Sequence, residues 1–355
     1  MSASLAIIQG DAAEKLRELP SESVQCCVTS PPYWGLRDYG CSGQIGLEPT
    51  LNEFISRLVE VFREVRRVLK KDGTAWVNMG DAYAGSGLSG GTSAAENTGT
   101  LVHRGAIGKG RMSPAGLKPK DLIGQPWMLA FALRADGWWL RQDIIWHKPN
   151  PMPESITDRC TKVHEYLFLL SKSERYFFDA EAIKEPVTGN SHARGYGVNP
   201  KAKWKTPDGW DTSSGNGGHG TIHREGREKR KIPGKNSRMN SAKNVGGRPP
   251  QARQNESFSA AVKGLVETRN KRTVWTVATF PCKEAHFATY PPALITPCIL
   301  AGSRPGDTII DPFGGSGTTG QVALEHGRKA ILIELNPDYI PLIERRCTIT
   351  KGLGL

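Results

Sequence analysis

Thr308-Ile309-Ile310-Asp311-Pro312-Phe313-Gly314-Gly315-Ser316-Gly317-Thr318-Thr319-Gly320 joins a short apolar run, a carboxylate and a glycine-rich turn. The apolar run (308–310) predicts a buried parallel strand with Asp311 at its end. The glycines carry the chain into a helix over 318–326, because a side chain there would keep a ligand from the backbone. A second strand over 330–335 ends in another carboxylate, Glu334, about 20 residues beyond the loop, where an acidic side chain can bind ribose hydroxyls. These features make half of a nucleoside-binding α/β fold. In a chain of 355 residues it lies at the C-terminal end, not the N-terminal one.

Working outward, the N-terminal part supplies the missing strands. A strand over 5–8 is followed by Gly10-Asp11 and a short helix with Leu16 and Leu19 inward. A second buried strand over 24–29 runs into Ser30-Pro31-Pro32-Tyr33-Trp34, where two prolines must stop the ladder. Apolar residues recur at three- and four-residue steps from Leu51 to Leu69, predicting an amphipathic helix. Asp72-Gly73 is expected to end it and 74–79 to form the next strand. Further expectations are a helix over 122–133, strands over 138–146 and 166–170, pairing of the latter with 176–178, and a helix over 293–301. The stretch 84–120 is rich in Gly, Ser and Thr without periodicity. It reads as a lid or an unstructured loop, with Arg104, Lys109 and Arg111 available to phosphate.

The net charge is +12, and its distribution is uneven. Residues 185–272 hold 18 Lys or Arg against 7 Asp or Glu, a net of +11. That concentration predicts a segment that meets a polyanion, nucleic acid before all, rather than a merely solvated basic insert. The seven cysteines form no C-x-x-C pair, which argues against a disulfide framework and structural zinc. No apolar run approaches the roughly 18 residues of a membrane span. No basic region followed by an apolar stretch opens the chain. A cytoplasmic protein without membrane or metal is expected.

Gly315-Ser316-Gly317-Thr318-Thr319-Gly320 formally matches G-x-G-x-x-G, which alone also suits a dinucleotide dehydrogenase. A Walker-type phosphate loop is excluded, since no Gly-Lys-Ser/Thr follows. Ser-Pro-Pro-Tyr alone could be a rigid turn. At a strand's carboxyl end it also offers a hydroxyl, a fixed carbonyl and a flat ring, parts suited to a planar base bearing an amino group.

Thr29-Ser30-Pro31-Pro32-Tyr33 together with Asp311-Pro312-Phe313-Gly314-Gly315-Ser316-Gly317-Thr318-Thr319 resembles the amino-methylating DNA methyltransferases. Their β class places the catalytic motif first, the recognition region in the middle and the cofactor motif last. The likeness covers roughly residues 5–182 and 274–350. It includes Gly10-Asp11, Trp146-His147-Lys148-Pro149-Asn150 and His286-Phe287-Ala288-Thr289-Tyr290-Pro291. It implies a circularly permuted Rossmann-like α/β fold: a mostly parallel twisted sheet with helices on both faces, a catalytic half over 1–184, a basic target-recognition insert over 185–273 and a cofactor half over 274–355. It implies methyl transfer from S-adenosylmethionine (SAM) to the exocyclic amine of a flipped base in double-stranded DNA. Ser30, Pro31, Pro32 and Tyr33 would form the catalytic turn. Asp311, Pro312, Phe313, Gly314, Gly315, Ser316, Gly317, Thr318 and Glu334 would hold the cofactor, with Asp11 and Phe287 as further pocket members. Ser at the first motif position favours cytosine N4, with adenine N6 the alternative. Whether a restriction endonuclease partners it stays open, as does the oligomeric state. Cytosine C5 chemistry needs a Pro-Cys nucleophile presented by a turn at a strand end; neither Pro281-Cys282 nor Pro297-Cys298 sits at one, and Cys298 falls within the expected apolar helix. The rival of another class is a DNA-binding protein with a relic cofactor pocket.

Overall fold

In the computed structural model, the described residues are 4–36, 38, 40–84, 117–186, 268–279 and 289–352. The basic stretch inside 187–267 and most of the 84–120 loop lie outside them, as do Phe287 and Cys282. The chain divides into two units, Met1–Lys184 with Asn270–Leu355, and Glu185–Arg269. Of the second unit, the described ends pair antiparallel as β6 (Glu185–Pro186) and β7 (Thr268–Arg269), with Arg269 Nε donating to Glu185 Oε1 at 2.8 Å.

The first unit is built on an eight-stranded sheet. Its strands are β1 (Leu5–Gln9), β2 (Val24–Thr29), β3 (Leu69–Met79), β4 (Trp139–His147), β5 (His164–Ser171), β8 (Val274–Thr276), β9 (Thr308–Asp311) and β10 (Lys329–Glu334). They lie in the order β1-β10-β9-β2-β3-β5-β4-β8. The run from β1 to β3 is parallel, and β5 is antiparallel to both of its neighbours. The helices are α1 (Ala12–Glu18), α2 (Leu51–Val68), α3 (Gln125–Ala135), α4 (Pro292–Gly302), α5 (Thr318–Glu325) and α6 (Ile340–Gly352).

Alternation along the central strands divides the core between two faces. Cys27, Ala75, Val77 and Ile310 pack with α1, α2 and α3, while Cys26, Val28, Trp76 and Ile309 pack with α4 and α5. All six residues of β2 are buried, as a strand covered on both faces requires. Helix α2 follows its periodicity, burying Phe54, Leu58, Phe62 and Val65, and it opens with a capping box of Thr50 and Glu53. None of the helices among the described residues is long and apolar enough to cross a membrane.

Two local expectations are corrected. Asp72-Gly73 does not separate α2 from the next strand, because β3 already begins at Leu69. Leu69 pairs with Val24 and Thr74 with Cys26, so the extra residues bulge out of the ladder. Gly73 permits this, as a Cβ there would lie 3.0 Å from both the Gln25 and Lys70 carbonyl oxygens. Residues 176–178 do not pair with β5, whose two edges are taken by β3 and β4. Phe177 N instead donates to the Asp72 carbonyl at 2.9 Å.

Helix and sheet come into tight contact at Gly302 of α4. A Cβ there would lie 2.6 Å from Cys26 Sγ, 2.9 Å from Thr74 Oγ1 and 3.0 Å from Trp76 Nε1. Gly302→Ala gains up to about 1 kcal/mol of helix propensity. Overpacking costs about 1–3 kcal/mol, so net destabilisation and a lowered Tm in thermal unfolding are expected.

Candidate active site

Strands β9 and β2 are parallel neighbours, with Cys26 level with Ile309 and Cys27 with Ile310. From β9 the chain crosses through α5 to β10 on one side, and from β2 through α2 to β3 on the other. Connections that diverge in this way leave a crevice beyond the strands' carboxyl ends. Asp311 ends one strand, and Ser30 follows the other.

The Asp311 carboxylate is buried and accepts four hydrogen bonds. Thr29 Oγ1 and Phe313 N donate to Oδ1 at 2.6 and 3.0 Å, and Tyr290 OH and Thr319 Oγ1 donate to Oδ2 at 2.9 and 2.6 Å. Burial pushes its carboxyl up to about 6 from the ordinary 3.8, against the opposing pull of these donors. Burial also raises the Tyr290 phenol well above its ordinary value, with the Asp311 charge adding to it, so Tyr290 remains a donor.

The glycine loop is shaped around Glu334. Gly315 (φ 51°) and Gly317 (φ 80°) are left-handed, a conformation glycine adopts without strain. Gly315 N donates to Glu334 Oε2 at 2.7 Å and Asn336 N to Oε1 at 2.8 Å. Each carboxylate oxygen therefore keeps acceptor capacity. Burial raises the Glu334 carboxyl, and these backbone donors oppose the rise. Arg346 holds the far side of the loop, reaching the Ser316 carbonyl (3.0 Å), Ser316 Oγ (2.6 Å) and Thr318 Oγ1 (2.9 Å).

The proline turn is held from three sides. Tyr33 OH donates to Glu165 Oε2 of β5 at 2.9 Å, and Lys148 Nζ donates to the other oxygen of that carboxylate. Trp34 N donates to Gln125 Oε1 at 3.1 Å, and Gln125 Nε2 to the Gly80 carbonyl at 3.1 Å. Gly35 N donates to the Gly46 carbonyl at 2.7 Å, while Arg57 of α2 reaches Glu48 Oε1 (3.0 Å) and the Gly43 carbonyl (2.9 Å).

One pocket collects both motifs. Asp11, Ser30, Pro31, Pro32, Tyr33, Pro312, Phe313, Gly314, Gly315, Ser316, Thr318 and Glu334 line it, with Leu36, Gln44, Ile45, Tyr290 and Asn336 among the other wall residues. The charged residues among them, Asp11 and Glu334, are both acidic.

A family model described as DNA methylase, of the N6/N4 type, matches residues 24–345. The chain belongs to this DNA methylase family. It is 42% identical to the Type II methyltransferase M.Cfr9I of Citrobacter freundii over 340 residues, covering 96% of this chain and 86% of that one. It is 42% identical to the Type II methyltransferase M.SmaI of Serratia marcescens, covering 97% and 90%. Among solved structures, the cytosine-N4-specific PvuII DNA methyltransferase shares the fold with a TM-score of 0.56 at 17% identity, over 98% of this chain and 87% of that one. The putative DNA modification methylase TTHA0409 of Thermus thermophilus, solved with S-adenosyl-L-methionine, does so at 0.51 and 21% identity, over 99% and 97%.

In this methylase the two motifs named from sequence face one pocket, with two departures. Asp311 and Gly317 lie outside the lining residues, and the Asp311 carboxylate is occupied by the protein's own donors. Asp11 lines the pocket and also caps α1, accepting from Glu14 N at 3.0 Å. Cys298 is buried in α4, where burial raises its thiol well above the ordinary value, so it presents no nucleophile. Glu165 and Gln125 had no sequence signal of their own, and Lys148 stood in a quoted motif without a role.

A carboxyl with a raised folded-state value binds its proton more tightly in the folded protein. The stability Asp311 lends is thus full below pH 3.8 and lost as the pH rises through about 6. The stability of the wild type relative to Asp311→Asn is expected to fall by about 3 kcal/mol between roughly pH 4 and pH 7 in denaturant titrations.

Proposed function

We propose that the methylase transfers a methyl group from SAM to the exocyclic amine of a DNA base, cytosine N4 in the first place. The observation that carries the reading is one pocket lined both by Ser30–Tyr33 and by the Gly315 loop and Glu334. The pocket suits SAM electrostatically. In a chain of net charge +12 its charged lining is acidic, which suits a sulfonium cation. Glu334 has acceptor capacity left for ribose hydroxyls, and left-handed Gly315 lets backbone line the pocket beside it. SAM supplies a methyl group already activated for transfer.

The chain's own work is positioning. The target amine is a poor nucleophile because its lone pair is delocalised into the ring. Ser30 Oγ and the Pro31 carbonyl accept from its hydrogens, which favours a tetrahedral nitrogen and stabilises the charge that develops there. Tyr33 offers a stacking face, and Pro32 fixes the turn. A base inside a duplex must be flipped to reach this turn, at a cost of about a few kcal/mol. The basic segment 185–273 would offset that cost through phosphate contacts and choose the site, so DNA affinity should fall steeply with salt.

In this reading the element order is a circular permutation, with the cofactor half last. Ser30 at the head of the turn supports cytosine N4 over adenine N6. The relatives' designation as Type II methyltransferases supports pairing with a restriction endonuclease.

The test uses tritiated SAM and unmethylated phage DNA, with chromatography of the digested product against N4-methylcytosine and N6-methyladenine standards. Ser30→Ala should slow single-turnover transfer roughly tenfold or more while leaving SAM affinity near wild type. Glu334→Ala should do the converse, weakening SAM binding by about tenfold or more in calorimetry. Loss of both activities together with the melting temperature in either variant would return that motif to a structural role.

A further inference from the structure

We infer that Glu165 is a positioning residue that sets the direction of a hydrogen-bond chain, Ser30 to Tyr33 to Glu165, and thereby turns the lone pairs of Ser30 toward the target amine. The inference rests on the reading of Ser30 as an acceptor for that amine.

The direction follows from donor and acceptor inventory. An ionised carboxylate only accepts and an ammonium only donates. Lys148 Nζ donates to Glu165 Oε1, and it also lies 4.4 Å from the centre of the Trp146 ring, so its own place is fixed. Half-buried Lys162, whose Nζ is shielded from water, adds positive charge that acts on the same carboxylate. Glu165 Oε2 is left to accept, and Tyr33 OH donates to it at 2.9 Å. The phenol is held protonated by burial and by the Glu165 charge. Having spent its one hydrogen, the Tyr33 oxygen can only accept, and Ser30 Oγ donates to it at 3.5 Å. The Ser30 hydrogen is therefore engaged by the Tyr33 oxygen, which leaves the Ser30 lone pairs for the amine. An amine with two hydrogens needs that arrangement, since a serine free to rotate would present its own hydrogen part of the time.

The packing keeps the three groups in line. A Cβ at Gly80 would lie 2.9 Å from Tyr33 Cε2 and 3.2 Å from Glu165 Cδ, so glycine leaves room for the ring against the carboxylate. Glu165 stands 132 residues from Tyr33 in the chain and is absent from the pocket lining. It acts through the turn and does not touch the reacting atoms.

Glu165→Gln keeps the shape and reverses the chain. Lys148 claims the amide oxygen, so the amide NH2 faces Tyr33. The phenol must then donate to Ser30, and the serine hydrogen turns toward the amine. Single-turnover methylation of unmethylated phage DNA is expected to slow roughly 10–100-fold, with SAM affinity unchanged. Tyr33→Phe removes the link, so the Tyr33→Phe/Glu165→Gln double variant should be no slower than Tyr33→Phe and faster than Glu165→Gln. Lys148→Met in the Glu165→Gln background frees the amide to turn its oxygen to Tyr33 and should restore most of the rate. A wild-type rate in Glu165→Gln, or a double variant slower than either single one, overturns the inference. If Ser30→Ala runs at the wild-type rate, the acceptor reading itself falls. A slow Ser30→Ala beside additive Tyr33 and Glu165 effects rejects this chain of bonds alone.

Discussion

The structure depends on one buried carboxylate. Asp311 draws donors from β2 (Thr29), from the approach to α4 (Tyr290), from α5 (Thr319) and from its own loop (Phe313). Taking a charge out of water costs several kcal/mol, and a hydrogen bond to a charged group returns about 1.5–3 kcal/mol. Fewer donors would leave the group expensive, so all four segments are held to it. Thr29 immediately precedes Ser30, and Phe313 immediately precedes the glycines. The bond between Thr29 and Asp311 therefore fixes the spacing of two motifs 282 residues apart in sequence.

That bond lies on the seam where the parallel crossovers diverge. Strands β2 and β9 are rigid and buried, so whatever follows their last residues starts from fixed points. The loops then gain their shape from outside the seam. Arg346 of α6 holds the glycine loop, Gln125 of α3 holds the proline turn, and Arg57 of α2 holds the wall that continues from it. Each is a side chain on a helix packed against the sheet, so helix packing sets the pocket's walls as well as the core.

Much of this was legible in the sequence because it is local. A strand, a carboxylate and glycines in one stretch announce a ligand loop, and two prolines after an apolar run announce a turn. The three- and four-residue spacing of α2 was equally plain. What the sequence hid is non-local. Asp72-Gly73 has turn composition, yet it became a bulge because Leu69 could already pair with Val24. Residues 176–178 look like a strand, but β5 had no free edge to give them. Asp311 carries the motif's acidic position, and only its three-dimensional donors show that it holds the site together from beneath. Glu165 is an ordinary strand residue until the fold brings it to Tyr33.

The charges are sorted by the same architecture. Acidic groups gather at the crevice: Asp11 and Glu334 in the lining and Asp311 beneath it. Each lies at or next to a strand's carboxyl end, where the backbone N–H groups of the following loop need acceptors. Glu334 and Asp311 take one such donor each, Asn336 N and Phe313 N, and Glu334 takes a second from Gly315 N of the glycine loop, so the loops select carboxylates at these places for their own hydrogen bonding. The excess of Lys and Arg is concentrated elsewhere, in 185–272. A cationic small ligand and a polyanionic large one can then be drawn to different parts of one chain without competing. Ser30–Tyr33, the other motif in the lining, carries no charged side chain.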